Sequence, residues 1–439
     1  MAKQTERLGL GGRVLVLLVA LGLVLAIWRW LDGIGPISNL NQGSPWGFWI
    51  GFDILAGIAL AAGGFVVAGF VHILGAERYH ALVRPAIFTA FLGYLMFIGG
   101  LLVDIGRPWT FWHAIIYWHH ESPMFEVAWC VMMYTTVLTL EVMPYFFERW
   151  HRPDLVALWR NYAPWGAWLL LVLFTLAMTQ SVAWVATIAG VLLLFEVLVR
   201  RGAFRRDPRV PTLLIMAGIL FSTMHQSSLG TVFTLVPHKL SPLWYSPILP
   251  VLFFTSAVMA GLAMVIVEST LTAKYLHREP ESALLRNVGR ALGWAVLIYT
   301  VLRLVDLSVR GAAGVALSPA PQAVAFWIEI TVGLVVPLVL LALEEVISSV
   351  RGLFWVALFV VVGVVIHRLN VAITGLSSHT GERYFPHWME VAVSIGIVSL
   401  GILVYRAAVR YLPLFEEHAS QSSGHGSATV LQAEGRRNS

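Results

Sequence analysis

Long apolar runs, broken by short polar stretches, set the pattern of this chain. Within the runs hydrophobic and polar residues do not alternate, as they would in a half-buried strand. Most runs approach the roughly 20 residues with which a helix crosses a bilayer. A transmembrane β-barrel, built from short alternating segments, is therefore excluded. The pattern predicts about 12 membrane helices, at roughly 13–31, 48–74, 84–103, 124–147, 164–181, 183–200, 211–230, 246–273, 287–309, 322–348, 352–370 and 386–409. The first run, behind Lys3 and Arg7, is longer than a signal-peptide core, and Trp28-Arg29-Trp30 is a poor cleavage site, so it reads as a retained span. The stretch 164–200 is too long for one crossing. Taken as two spans, it leaves about 22 of the 29 Lys and Arg residues on the side of the N-terminus, a positive-inside distribution with both termini cytoplasmic. Taken as one, it inverts every later loop and destroys the bias. A hairpin turning near Thr179-Gln180-Ser181 is the expectation.

Composition agrees. The 439 residues are 58% hydrophobic and 12% charged, about half the charge of a soluble domain. Eighteen tryptophans suit interfacial belts. The single cysteine, Cys130, excludes an internal disulfide and a self-held iron–sulfur cluster. The net charge of +5 reflects basic cytoplasmic loops, not nucleic-acid binding.

The polar chemistry gathers in the loops of the other, outer side. Asp104 closes one span and Glu126 opens the next, with Arg107 and an aromatic, histidine-rich loop (Phe111, Trp112, His113, Tyr117, Trp118, His119, His120) between them. Asp306 and Glu329 repeat the arrangement, with Arg310 in the place of Arg107. The repeat predicts an all-α integral membrane protein with two parallel four-helix bundles. Spans 2, 3, 4 and 7 form one, spans 8 to 11 the other, and the hairpin is inserted into the first. The expected divisions are an N-terminal helix (1–34), a first bundle (35–236) carrying the hairpin (164–200), a second bundle (246–371), a C-terminal helix (386–412) and a disordered tail (413–439). Each polar group also has a plain structural role open to it. Asp104 and Arg107 suit an ion pair capping span 3, Glu126 suits the positive end of a helix dipole, Trp46 suits an interfacial anchor, and Arg303 with Asp306 suits a buried couple.

The motifs Pro45-Trp46-Gly47 with Phe52-Asp53, Val83-Arg84-Pro85-Ala86, Asp104-x-Gly106-Arg107, Phe125-Glu126, Met224-His225-Gln226-Ser227-Ser228-x-Gly230, Pro242-Leu243-Trp244, Leu302-Arg303, Phe326-Trp327-Ile328-Glu329 and Tyr384-Phe385-Pro386-x-Trp388-x-Glu390 resemble the NrfD-like family. These are the integral, quinone-reacting subunits of polysulfide reductases, nitrite reductases and membrane-bound hydrogenases. The nearest likeness is to the ten-span subunit of uptake [NiFe]-hydrogenases. It runs from about residue 35 to 410 and departs at 150–208, at Glu268-Ser269 (Glu-Gly in the relative) and at Ser241 (His in the relative). The resemblance implies a core of about ten helices, no haem or metal in this chain, and a quinone pocket (menaquinone or ubiquinone) in the first bundle. It also implies partners: an extracytoplasmic, ferredoxin-like iron–sulfur subunit, a catalytic subunit such as a [NiFe]-hydrogenase or molybdopterin oxidoreductase, and a multihaem cytochrome c. The setting is the cytoplasmic membrane of a bacterium or archaeon.

Quinone reduction moves two electrons and two protons, so the head group needs hydrogen-bonding partners and a carboxylate or histidine that exchanges protons. Glu126, Asp104 and His225 are the candidate proton-transferring residues. Trp46, Asp53, Arg107, His113 and Gln226 are the candidate quinone contacts. The first three are expected to meet at one depth, because each sits at a span end. Proton translocation would accompany the electron transfer. Two other readings compete. A haem-binding cytochrome b needs facing histidines, and the predicted topology puts His72 and His367 near opposite membrane faces. A secondary transporter is favoured by the repeat but lacks broken mid-membrane helices.

Overall fold

The computed structural model describes residues 9–44, 46–72, 76–201, 209–276, 280–376 and 384–415. Twelve long helices follow one another as expected: α1 (Leu10–Asp32), α2 (Ile50–His72), α3 (His80–Asp104), α4 (Pro123–Arg149), α5 (Pro153–Thr179), α6 (Val182–Arg200), α7 (Arg209–Thr234), α8 (Leu249–Tyr275), α9 (Ser282–Val309), α10 (Pro321–Leu341), α11 (Val350–Thr374) and α12 (Trp388–Tyr411). No strand occurs among the described residues. The upper end of the molecule is here the end reached by the C-termini of the odd-numbered helices. The predicted tail lies almost wholly outside the described residues, as do Pro45 and residues 202–208 of the basic loop. Its first residues are packed: Leu414 is 1% exposed, and Arg84 Nη1 donates to the Pro413 carbonyl at 2.9 Å.

Helices α2, α3, α4 and α7 pack in a ring, and α8, α9, α10 and α11 form a second. The rings join where α8 lies against α2 and α7, and where α11 meets the upper part of α2. Helix α5 leans on α4 and α7 from outside, and α6 touches α5. The inserted hairpin is thus an addition to the first ring, turning at Gln180, whose φ of 47° closes α5 in the left-handed region. Helices α1 and α12 pair with each other and pack on the first ring mainly against α3, with α12 also touching Asp53 of α2 and Glu268 of α8. Their crossing is close because Gly22 faces Gly396. A Cβ on Gly22 would stand 2.9 Å from the Gly396 Cα, the small-residue contact by which membrane helices approach.

Three helices contain π-helical segments, at Ile50–Ala56, Thr331–Val335 and Asn370–Thr374. The first contains Asp53, the second begins two residues after Glu329, and the third begins three residues after His367. Such wide turns interrupt the regular hydrogen-bond ladder and recur at functional sites.

Candidate functional site in the first bundle

Helix α4 opens with Pro123, whose missing N–H costs nothing in a first turn. Glu126 therefore lies in that turn, half-buried, facing α7. Ser228 Oγ of α7 donates to Glu126 Oε1 at 2.6 Å. One turn deeper, His225 is fully buried, with Nδ1 2.8 Å from the Tyr94 hydroxyl of α3. The Tyr134 and Phe97 rings enclose this pair, Tyr134 edge-on to Tyr94 at 4.6 Å and Phe97 edge-on to His225 at 5.8 Å. Gln226 turns the other way and donates to the Ile58 carbonyl of α2 at 2.9 Å. His225 Nε2 and Gln226 Oε1 are buried and stay open. Unpaired polar atoms in an apolar interior are costly, and here they mark where a ligand or water would be held.

The structure sets Glu126 of α4 against Ser228, one turn along α7 from His225, and sets Asp104 elsewhere. His225 does not end its helix, because α7 continues to Thr234. The run Met224–Ser228 looks like a helix end because it is polar, but its side chains bond inside the bundle and the helix carries on. Tyr94, the partner of His225, lies ten residues before Asp104, about 15 Å down α3 at 1.5 Å per residue. Asp104 instead feels the charges of Arg29 and Glu390, and that of Asp53. Asp53 is buried in α2 and accepts a hydrogen bond from Ser394 of α12. A Cβ at Gly100 would approach the Asp53 Cβ to 2.8 Å, so α3 presses directly on it.

The cap of α3 is Arg29, not Arg107. Arg29 Nη2 donates to the carbonyls of Asp104 at 3.1 Å and Ile105 at 3.2 Å, a cation on the negative helix end. Arg107 is exposed and makes no ion pair among the described residues. His113 is exposed too, its ring edge-on to Trp112 and Tyr117. Both stand apart from the buried groups. Trp46 is half-buried and edge-on to Phe233 of α7 at 5.0 Å. Glu390 ties the upper loops together. It accepts from the backbone N–H groups of Asn39 at 2.9 Å and His387 at 3.0 Å, and from the Tyr384 hydroxyl. Burial, and after it the bond to Glu390, push the Tyr384 phenol above its ordinary pKa.

Several polar groups carried no expectation from sequence. Tyr94 is one polar tip inside an apolar run. Glu268 of α8, noted only where the motif departs, accepts from the Tyr405 hydroxyl of α12. In the second bundle Glu329 accepts from Trp244 Nε1 at 2.7 Å and Asn370 Nδ2 at 2.9 Å, and its Oε1 lies 2.8 Å from His367 Nδ1. Arg303 is not paired with Asp306. Its Nη2 donates to the Leu243 carbonyl at 2.7 Å and stands 4.0 Å from Glu329, while Asp306 pairs with Arg310 at 2.7 Å and accepts from Ser246. His72 lies beside His80, rings 6.3 Å apart, and His367 lies inside the second bundle.

Comparison with known proteins adds a lineage. Residues 37–378 match the family described as Polysulphide reductase, NrfD. A protein of Nitratidesulfovibrio vulgaris is 33% identical, covering 94% of this chain and 97% of its own length. The Escherichia coli protein named "Probable Ni/Fe-hydrogenase 2 b-type cytochrome subunit" is 30% identical, covering 90% of each chain. A second Nitratidesulfovibrio vulgaris protein, named "Menaquinone reductase, integral membrane subunit", is 26% identical, covering 91% of this chain and 90% of that one.

Proposed function

Because this chain belongs to the polysulphide reductase NrfD family, we propose that it is the quinone-reactive membrane subunit of a respiratory oxidoreductase complex. It passes electrons between an extracytoplasmic iron–sulfur partner and the quinone pool and does not itself hold the catalytic centre. The relatives named for a Ni/Fe-hydrogenase and a menaquinone reductase support this reading. A [NiFe]-hydrogenase or molybdopterin-type catalytic subunit is the proposed companion, and the upper end is the proposed extracytoplasmic face.

The observation that carries the reading is the open pair of groups in the first bundle. Glu126 has one oxygen on Ser228, and no other protein hydrogen bond reaches its carboxylate among the described residues. His225 has its Nδ1 on Tyr94 and its Nε2 free. A quinone head group entering from the upper end would meet a carboxyl group as proton donor or acceptor. His225 and Gln226 would wait one turn deeper to receive or deliver the proton. An ionisable side chain within hydrogen-bond reach of the oxygen it serves is the geometric condition for general acid–base catalysis.

The test is a two-acceptor assay on the purified complex. The reading expects quinone-coupled turnover that is lost when this chain is stripped away, while transfer to a soluble artificial acceptor survives. Quinone turnover that survives without the chain would overturn it. The name of the Escherichia coli relative raises a b-type cytochrome reading. A reduced-minus-oxidised spectrum of the purified chain tests it, and b-type bands belonging to this chain would favour that reading.

A further inference from the structure

The second bundle repeats the construction of the first around a histidine. In α7, His225 is followed by Gln226, which donates to a carbonyl of α2, and three residues on Ser228 meets Glu126 of α4. In α11, His367 is followed by Arg368, whose Nη2 donates to the Phe253 carbonyl of α8 at 3.1 Å, and three residues on Asn370 meets Glu329 of α10. In each ring the residue after the histidine grips the first helix, and the residue three after it grips the acid of the third. Each histidine has its Nδ1 engaged and its Nε2 buried without a partner.

The two sites differ in closure. Glu126 is half-buried, whereas Glu329 is 4% exposed and fully engaged. Trp244, Asn370 and His367 all approach Glu329 with nitrogen, so its carboxylate is an acceptor throughout. His367 Nδ1 must then carry a hydrogen, which leaves Nε2 as the atom that gains or loses a proton. A small cavity of about 10 Å³ lies here, lined by Ser256, Tyr299, Glu329, Gly333, Gly363 and His367 among others. One water needs roughly 10–15 Å³ and two or more polar partners. Gly333 and Gly363 also line the cavity, in contact with each other. A Cβ on Gly333 would stand 2.9 Å from the Gly363 Cα.

We propose that His367 is a proton-binding site of the second bundle, reached through a water in this cavity. Glu329 is the positioning residue, holding the ring through Nδ1. The water bridges His367 Nε2 to the Tyr299 hydroxyl and carries the proton to and from it. The charged and titratable groups facing the ring are Glu329 from α10, Tyr299 and Arg303 from α9, and Arg368 on α11 itself. Helix α8 presents the neutral Ser256 and the Phe253 ring, and the upper loop presents Trp244. The inference rests on the second bundle alone and does not depend on the quinone reading.

Nitrogen NMR of the full chain in lipid, labelled on histidine, tests it, with the His367 signal assigned by its loss in His367→Gln. At high pH the expected ring has Nδ1 protonated and Nε2 bare, in contact with a water proton. It converts reversibly to the doubly protonated form as pH falls. Glu329→Gln should change the tautomer or displace the midpoint by at least about one pH unit, tenfold in proton affinity. Tyr299→Phe should weaken the water contact and leave the fold intact. If His367→Gln does not fold, the signal that moves in Tyr299→Phe makes the assignment. A ring with no water contact, one whose protonation is constant wherever the protein stays folded, or one indifferent to Glu329→Gln would overturn the proposal.

Discussion

Glu126 faces α7 and His225 belongs to it, and their environments assign them different work. Glu126 is half-buried with one oxygen uncommitted, so it is the group that a head group approaching from the upper end would reach before the fully buried His225. Replacing it by Gln keeps the shape and removes the titrating proton. Quinone-coupled turnover should fall by roughly 10²-fold or more, the scale of lost general acid–base catalysis, while transfer to an artificial acceptor persists. If both activities fall because the complex fails to assemble, Glu126 is structural. If neither falls, the proton runs through another acid, with Asp53 and Asp104 next. Tyr94 acts through His225. Tyr94→Phe leaves Nδ1 of a fully buried ring without the hydrogen-bond partner it has among the described residues, which should cost about 1–3 kcal/mol. A lowered melting temperature of the solubilised protein, reversed when the tyrosine is restored, checks it. Sequence could nominate Glu126 and His225 because a carboxylate beside a span end and a His-Gln-Ser-Ser run stand out against apolar surroundings. It could not find Tyr94, whose hydroxyl is one polar atom on a ring that otherwise suits a core. Nor could spacing choose partners. Three residues separate Asp104 from Arg107 and Arg303 from Asp306, a distance that suits a helix face, yet Arg29 of α1 caps α3, Arg303 turns toward Leu243 and Glu329, and Asp306 pairs with Arg310 at the end of its own helix.

Helices were legible because the bilayer imposes one length on them, and the hairpin because basic residues count the crossings. Their ends were less so. Helix α5 begins at Pro153, eleven residues before the apolar run, because polar first turns extend helices beyond the apolar stretch. Helix α10 ends at Leu341, before the predicted 348, and Glu344–Ser348 follows as a separate short helix. The pairing of α1 with α12 had no signal beyond small residues at Gly22 and Gly396, which are uninformative until the two helices are seen together. Gly22→Leu tests that contact. A side chain has no room at 2.9 Å from the opposing backbone, so α1 should separate from α12, at an overpacking cost of about 1–3 kcal/mol. A disulfide between cysteines placed on facing turns of the two helices should form readily in the parent and poorly in the variant. Equal yields would mean that the crossing does not depend on the glycines.

At the scale of the whole molecule, two rings repeat one arrangement of residues and differ in what they leave open, with the open one carrying the proposed chemistry at its upper end. Sidedness is the first requirement. Cys130 is buried, so cysteines introduced singly can be read without removing it. One at Arg201 should be labelled only from the cytoplasm, and one at Trp109 only from outside. The reverse would overturn both the topology and the hairpin. The proposed outer surface would then receive the proposed iron–sulfur partner. The loop between α3 and α4 is fixed at its base, where Trp129 Nε1 donates to the Ala114 carbonyl at 2.9 Å and the Trp118 and Trp129 rings meet edge-on. Its tip still exposes Trp109 by 64%, Phe111 by 59% and Tyr117 by 67%. A rigid base beneath bare aromatic rings is a surface built to be covered, since contiguous exposed apolar patches mark interaction sites and aromatic anchors dominate interface energetics. Covering by an electron-carrying partner would also bring its redox centre above Glu126, four residues into the helix that the loop feeds. Replacing Trp109 and Phe111 together by Ser should therefore weaken retention of the iron–sulfur partner at least about tenfold, the scale of losing interface aromatics. The melting temperature of the chain itself should stay unchanged, because neither ring is in the core. Co-purification yield against salt, with crosslinks from position 109 as a second readout, measures it. Undiminished retention, or crosslinks found only from the cytoplasmic loops, would move the partner to the other face and separate it from the open site.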